Sequence, residues 1–167
     1  MATHLCPCGY YNHPDRDCVC APGVVNRYLS KISGPLLDRI DIHIEVTPVS
    51  FDELTARKRS SENSADVRKR VMVAREIQQK RYADSEGIYC NAQLPSNRVQ
   101  EVCEIDSAGA TLLKTAMQRL NLSARAYDRI LKVSRTIADM AGSENIKVEH
   151  LAEAIHYRSL DRENWGG

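Results

Sequence analysis

The chain has 167 residues, enough for one domain or two small ones with a real hydrophobic core. Lysine and arginine number 23 against 22 acidic residues, a net charge of +1, so overall charge argues for neither a nucleic-acid nor a membrane partner. No apolar run nears the roughly 20 residues that cross a bilayer. The first residues, Met1-Ala2-Thr3-His4-Leu5, lack the apolar region of a signal peptide and read as the edge of a fragment. Six cysteines without a secretion signal point to the reducing cytoplasm, where paired cysteines bind metal more often than they form disulfides.

Cys6-Pro7-Cys8 and Cys18-Val19-Cys20 are two C-x-C pairs separated by turn-forming residues, among them Gly9, Asn12, Pro14 and Asp17. A tetrahedral site needs four soft, deprotonated ligands from two short knuckles, and Cys6, Cys8, Cys18 and Cys20 can supply a four-thiolate zinc site. The usual knuckle is C-x2-C, so the alternative of thiols that merely pack stays open, and His4 or His13 could replace a thiolate. After Pro22-Gly23, the spacing of Val25, Leu29 and Ile32 predicts a helix face. Pro35 suits the first turn of a short helix. Ile40, Ile42, Ile44 and Val46 then alternate with Asp41, His43 and Glu45, predicting a strand with one buried face. Arg39 falls where helix gives way to strand, and its plainest role is pairing with the adjacent Asp38 and Asp41.

Pro48 stops the strand, and Phe51 to Arg57 can form another helical turn. Residues 57–64 read as a polar linker with a basic start, and the domain boundary is placed there. From Asp66 to Tyr82, Val67, Val71, Ala74 and Ile77 or Gln78 mark one face of a helix capped by Ser64. Arg68, Lys69, Arg70, Arg75, Lys80 and Arg81 make its other faces basic, as suits either a phosphate backbone or an ordinary solvated surface. Further helices follow from Ser96 to Cys103, from the Asp106 cap to Leu120, from the Ser123 cap to Ala141 with Gly142 as C′ residue, and from Val148 to Tyr157. Cys103 is read as a small core residue and Trp165 as a cover over the end of the bundle. Arg125 lies in a first helical turn, where a cation opposes the helix dipole by about 0.3–1 kcal/mol unless an anion joins it. Arg129 and Lys132 continue the same stripe.

Ser33-Gly34-Pro35-Leu36-Leu37-Asp38-Arg39-Ile40-Asp41 resembles the arginine-finger segment of magnesium-chelatase-like AAA+ ATPases, including the competence-associated ComM/YifB branch. Cys6-Pro7-Cys8-Gly9-Tyr10-Tyr11 upstream and Leu122 to Val133 downstream extend the resemblance, which runs from about Cys6 to Trp165. It implies a mostly α chain with a small α/β remnant. Residues 1–56 would be the end of an AAA+ core with one short strand, 57–64 a linker, and 65–167 a helical lid. Arg39 would be the arginine finger acting in trans, and Arg125 the sensor-2 arginine on the nucleotide phosphates. ATP and Mg²⁺ would serve the full-length protein, a hexamer remodelling DNA in branch migration or recombination during transformation.

A genuine magnesium chelatase ATPase subunit is the alternative within the family. An ATP-independent zinc-bearing nucleic-acid-binding module and a helical interaction module are the alternatives outside it. No G-x-x-x-x-G-K-[ST] occurs, no Gly precedes a Lys, and Ile40 to Glu45 is too charged for a buried Walker-B strand, so the chain by itself is not expected to hydrolyse ATP.

Overall fold

A computed structural model describes residues 3–46, 48–49, 55 and 62–158. The described elements are helical: α1 (Val24–Leu29), α2 (Gly34–Leu37), α3 (Ser64–Arg81), a 3-10 turn (Asn91–Gln93), α4 (Ser96–Val102), α5 (Ser107–Arg119), α6 (Ala124–Met140) and α7 (Val148–His156). Most of the helical turn expected over 51–57, most of the 57–64 linker, and Trp165 lie outside the described residues.

The fold is organised around α6, which packs against α3, α4, α7 and the 3-10 turn, while α5 packs on α7. Its inward face carries Ala126, Ile130, Leu131, Ser134 and Ala138, the i, i+4 and i+8 progression of a core stripe. Leu94, Val99, Cys103, Leu113, Ile146, Leu151 and Ala154 complete the core from the neighbouring elements. The ends of α6 are defined by local chemistry. The Ser123 hydroxyl accepts from the Ala126 N–H at 3.2 Å. At the other end Gly142, at φ 64°, lets the Gly142 N–H reach the Asp139 carbonyl and the Ser143 N–H reach that of Ala138, a Schellman ending. The Asp106 carboxylate caps α5 on the Gly109 N–H at 2.7 Å. Gly109 also has a packing reason: a Cβ there would stand 2.7 Å from Leu151 Cδ1.

Three expectations need correction. The strand predicted over Ile40 to Val46 does not form among the described residues, whose β pairing is a single parallel bridge between Ile105 and Ile146. No neighbouring strand among the described residues offers a ladder, so Ile42, Ile44 and Val46 are 44%, 68% and 87% exposed. The cap of α3 is Asn63 rather than Ser64: its side-chain oxygen accepts from the Asp66 N–H at 2.9 Å, and Ser64 is already helical. On α3, the expected core face holds only in its second half. Ala74 and Gln78 are buried, whereas Val67 and Val71 are exposed because the bundle meets only the C-terminal turns.

Candidate functional site

The residues around Arg39 are held by the helical bundle. Leu37 buries the end of α2, and the N–H groups of Asp38, Arg39 and Ile40 close turns on Gly34, Leu36 and Leu37. Arg158, fully buried, donates to the Ile40 carbonyl and lies 3.9 Å from the Asp38 carboxylate. Arg129 on α6 pairs with Asp41, and the His43 N–H donates to the Tyr157 carbonyl at 2.9 Å. The two carboxylates flanking Arg39 are thus engaged by Arg158 and Arg129. Arg39 itself is exposed, with no ion pair among the described residues. Local pairing with Asp38 and Asp41, the plainest reading of the sequence, is not what the structure shows.

Arg125 is exposed in the first turn of α6, beside a cleft of about 530 Å³. Ile42, Ile44, Arg129, Lys132 and Tyr157 are among the residues that line it with Arg125. Arg39 does not line this cleft, so the two arginines are not gathered into one pocket. The stripe expected from Arg125 through Arg129 and Lys132 is divided in its roles. Arg129 belongs to Asp41, and Lys132 Nζ donates to the carbonyls of Leu94 at 2.5 Å and Ala92 at 3.3 Å. Arg125 remains the exposed cation of the three.

The basic strip on α3 is also partly committed. Arg70 pairs with Glu62 at 2.7 Å and Lys69 with Asp66 at 3.2 Å, while Arg81 turns inward to Asp139. Asp139 is fully buried and centres a network that sequence reading missed. Its carboxylate accepts from Arg81 at 2.8 and 2.5 Å, from Asn91 Nδ2 at 2.8 Å and from Arg135 Nε at 3.1 Å. The Tyr82 hydroxyl donates to Asn91 Oδ1 at 2.7 Å, and the Asn91 N–H donates to Gln78 Oε1 at 3.0 Å. Burial opposes the charge on Asp139, but the Arg81 and Asn91 hydrogen bonds outweigh it and hold the carboxyl below its ordinary range. The available signal was an aspartate inside the apolar stripe of α6, four residues after an arginine.

The cysteine loop converges as its pattern predicts. The sulfurs of Cys6, Cys8, Cys18 and Cys20 all lie within 4.8 Å of one another. Cys6 and Cys8 are 3.3 Å apart, Cys8 and Cys18 3.5 Å, and Cys6 and Cys18 3.8 Å. Gly9, at φ 82°, closes the first knuckle on the Cys6 carbonyl, and the Tyr11 N–H donates to Cys6 Sγ at 3.3 Å. Backbone hydrogen bonding at Tyr10 draws the Cys8 thiol down to about 6. Hydrogen bonding at Cys20 also lowers Cys18, but desolvation and the neighbouring Cys8 and Cys6 thiols raise it to about 12. Neither His4 nor His13 joins the four sulfurs, and His13 Nδ1 instead accepts from the Asp15 N–H at 3.1 Å. Cys103 stands apart in the core, where burial lifts its thiol to about 11.

Comparison with known proteins gives two family matches. Residues 61–158 match the family described as magnesium chelatase, subunit ChlI C-terminal, and residues 1–54 match magnesium chelatase, subunit ChlI. Among similar proteins, the competence protein ComM of Haemophilus influenzae is 43% identical over 142 residues, covering 85% of this chain and 27% of the relative. The uncharacterized protein YifB of Escherichia coli is 40% identical over 163 residues, covering 96% and 30%. An uncharacterized Mycobacterium bovis protein is 34% identical over 158 residues, covering 95% and 30%. The chain therefore spans less than a third of the length of these relatives.

Proposed function

The chain belongs to the magnesium chelatase ChlI C-terminal family, and on that premise we propose that it is the C-terminal part of a ring-forming AAA+ ATPase. Residues 1–56 end the nucleotide-binding core, 57–64 link, and 65–167 form the helical lid. The meeting of the two family matches between residues 54 and 61 supports that division. Arg39 is the arginine finger, reaching the γ-phosphate bound by the neighbouring subunit. The single observation that carries this reading is its exposure while Asp38 and Asp41 are occupied by Arg158 and Arg129. A guanidinium held on an anchored turn, unpaired among the described residues, can give its donors to a phosphoryl group without first breaking an ion pair.

Such an arginine neutralises charge that develops on the transferring phosphoryl oxygens, worth about 10³-fold or more in turnover. Arg125 is the sensor-2 residue of the same subunit. Its place among the first-turn N–H groups of α6 gains most when an anion sits there. ATP and Mg²⁺ are held by the remainder of the full-length protein and supply the reactive phosphoryl group and its counter-charge.

The assembly we propose is a hexamer that remodels DNA. Similarity to a relative named a competence protein favours this over a chelatase ATPase subunit, the second reading, which the family description keeps in view. The test is ATP hydrolysis by the full-length gene product, with and without branched DNA, beside the 167-residue chain. DNA-stimulated turnover in the former and none in the latter is expected. A full-length product without ATPase activity refutes the motor, and turnover indifferent to DNA favours the chelatase reading.

A further inference from the structure

The cluster of four sulfurs in the cysteine loop involves none of the arginines discussed above. We propose that Cys6, Cys8, Cys18 and Cys20 bind one zinc ion as four thiolates, and that this ion holds the loop in its folded form. A Zn–S bond of about 2.3 Å places the corners of a tetrahedron about 3.8 Å apart. The closer sulfur contacts, 3.3, 3.5 and 3.8 Å, lie at or just below that edge, and no pair exceeds 4.8 Å. Separations of this size fit one ion shared by four ligands. An iron–sulfur cluster distributes its thiolates over several irons and spreads them farther apart. Four soft ligands with no histidine or carboxylate among them select a thiophilic ion, and a closed four-ligand shell is the structural rather than the catalytic arrangement.

The backbone around the sulfurs is already turned to support them. The Tyr11 N–H points at Cys6 Sγ, and Gly9 takes the positive φ that lets the chain turn back within one knuckle. The loop also has little else to fold with. From Thr3 to Gly23 no helix or strand forms, and Cys6 is its one buried apolar residue. Hydrophobic burial cannot offset the entropy of ordering such a segment, whereas a metal bound only by the folded form can. The loop leads directly into α1 and α2, so the ion also fixes the start of the chain that carries Arg39.

The decisive experiment is elemental analysis of the chain purified under reducing conditions, together with Cys8→Ser, Cys18→Ser and a Cys90→Ser control. One equivalent of zinc is expected in the parent chain and the control, falling to none in either ligand variant. Trypsin cleavage after Arg16 should accelerate when a chelator removes the ion and slow again when zinc is restored. If the ligand variants fail to fold, cobalt titration of the metal-depleted parent decides by the same logic. Tetrahedral thiolate–cobalt absorption, bleached by one equivalent of zinc, supports the site. A chain that purifies without zinc and takes up neither ion, one that holds iron instead, or one whose Cys90→Ser variant loses the metal overturns the proposal. These readings do not depend on ATP hydrolysis and stand whether or not the motor assignment survives.

Discussion

Replacing Asp139 with alanine should cost about 3 kcal/mol of stability. The carboxylate is fully buried and accepts from Arg81, Asn91 and Arg135. Removing one member of a buried ion pair costs about 3–5 kcal/mol, chiefly by stranding its partner. Here the partners have alternatives, which sets the value at the lower end. Arg135 keeps the Glu144 and Ser143 carbonyls at 2.7 and 2.6 Å, Asn91 keeps Thr136 at 3.0 Å, and Arg81 retains a solvent-facing edge. Urea unfolding followed by circular dichroism measures the loss, and a double-mutant cycle with Arg81→Met isolates the coupling.

A coupling of at least about 1 kcal/mol is expected for a bidentate pair whose carboxylate is buried and whose guanidinium is partly exposed. A total loss below that figure, or additive single losses, would refute the view that this pair ties α3 to α6. The pair also has a pH signature. Because the folded carboxyl titrates below its ordinary value, its stabilisation is complete above the ordinary aspartate range and disappears as pH falls through the depressed folded value. Asp139→Asn, which keeps the shape but carries no charge, should therefore lose less stability on acidification than the parent.

Two further substitutions test the packing and the placement of the lid. Gly109→Ala should destabilise by about 1–2 kcal/mol, because overpacking against the buried Leu151 exceeds the helix-propensity gain of alanine; a rise in Tm would contradict the close approach of α5 and α7. Ser123→Ala should cost about 1 kcal/mol by removing the cap of α6. In the full-length protein it should also weaken nucleotide binding through Arg125, two residues on. Unchanged stability and affinity would separate the cap from the phosphate contact proposed for Arg125.

The helices were legible because their cores obey a strong local rule. Ile130, Leu131 and Ala138 on α6, and Leu113 and Ala116 on α5, fall where helical periodicity places them, and Ser123 and Asp106 cap as their chemistry predicts. The cysteine pattern likewise carried its own geometry. Failures came where a distant partner decides. Ile42, Ile44 and Val46 alternate as a strand should, but alternation specifies only a face, and the described residues provide no neighbour to cover it. Arg81 and Arg158 look like surface charges in sequence, yet each is drawn inward by an acceptor far along the chain, Asp139 and the Ile40 carbonyl. Val67 and Val71 satisfy helical periodicity equally well whether or not the bundle extends to meet them.

The most direct test of the motor assignment is the ATPase activity of the full-length product carrying Arg39→Ala, measured with nucleotide affinity and ring assembly in parallel. Turnover should fall about 10³-fold while affinity and assembly are retained, since a finger supplied in trans would act on the neighbour's transition state rather than on its own subunit's bound nucleotide. Adding an excess of a subunit that cannot bind nucleotide but keeps Arg39 should restore activity in mixed rings. Unchanged turnover in Arg39→Ala, or no recovery in mixed rings that demonstrably form, would contradict a finger supplied in trans.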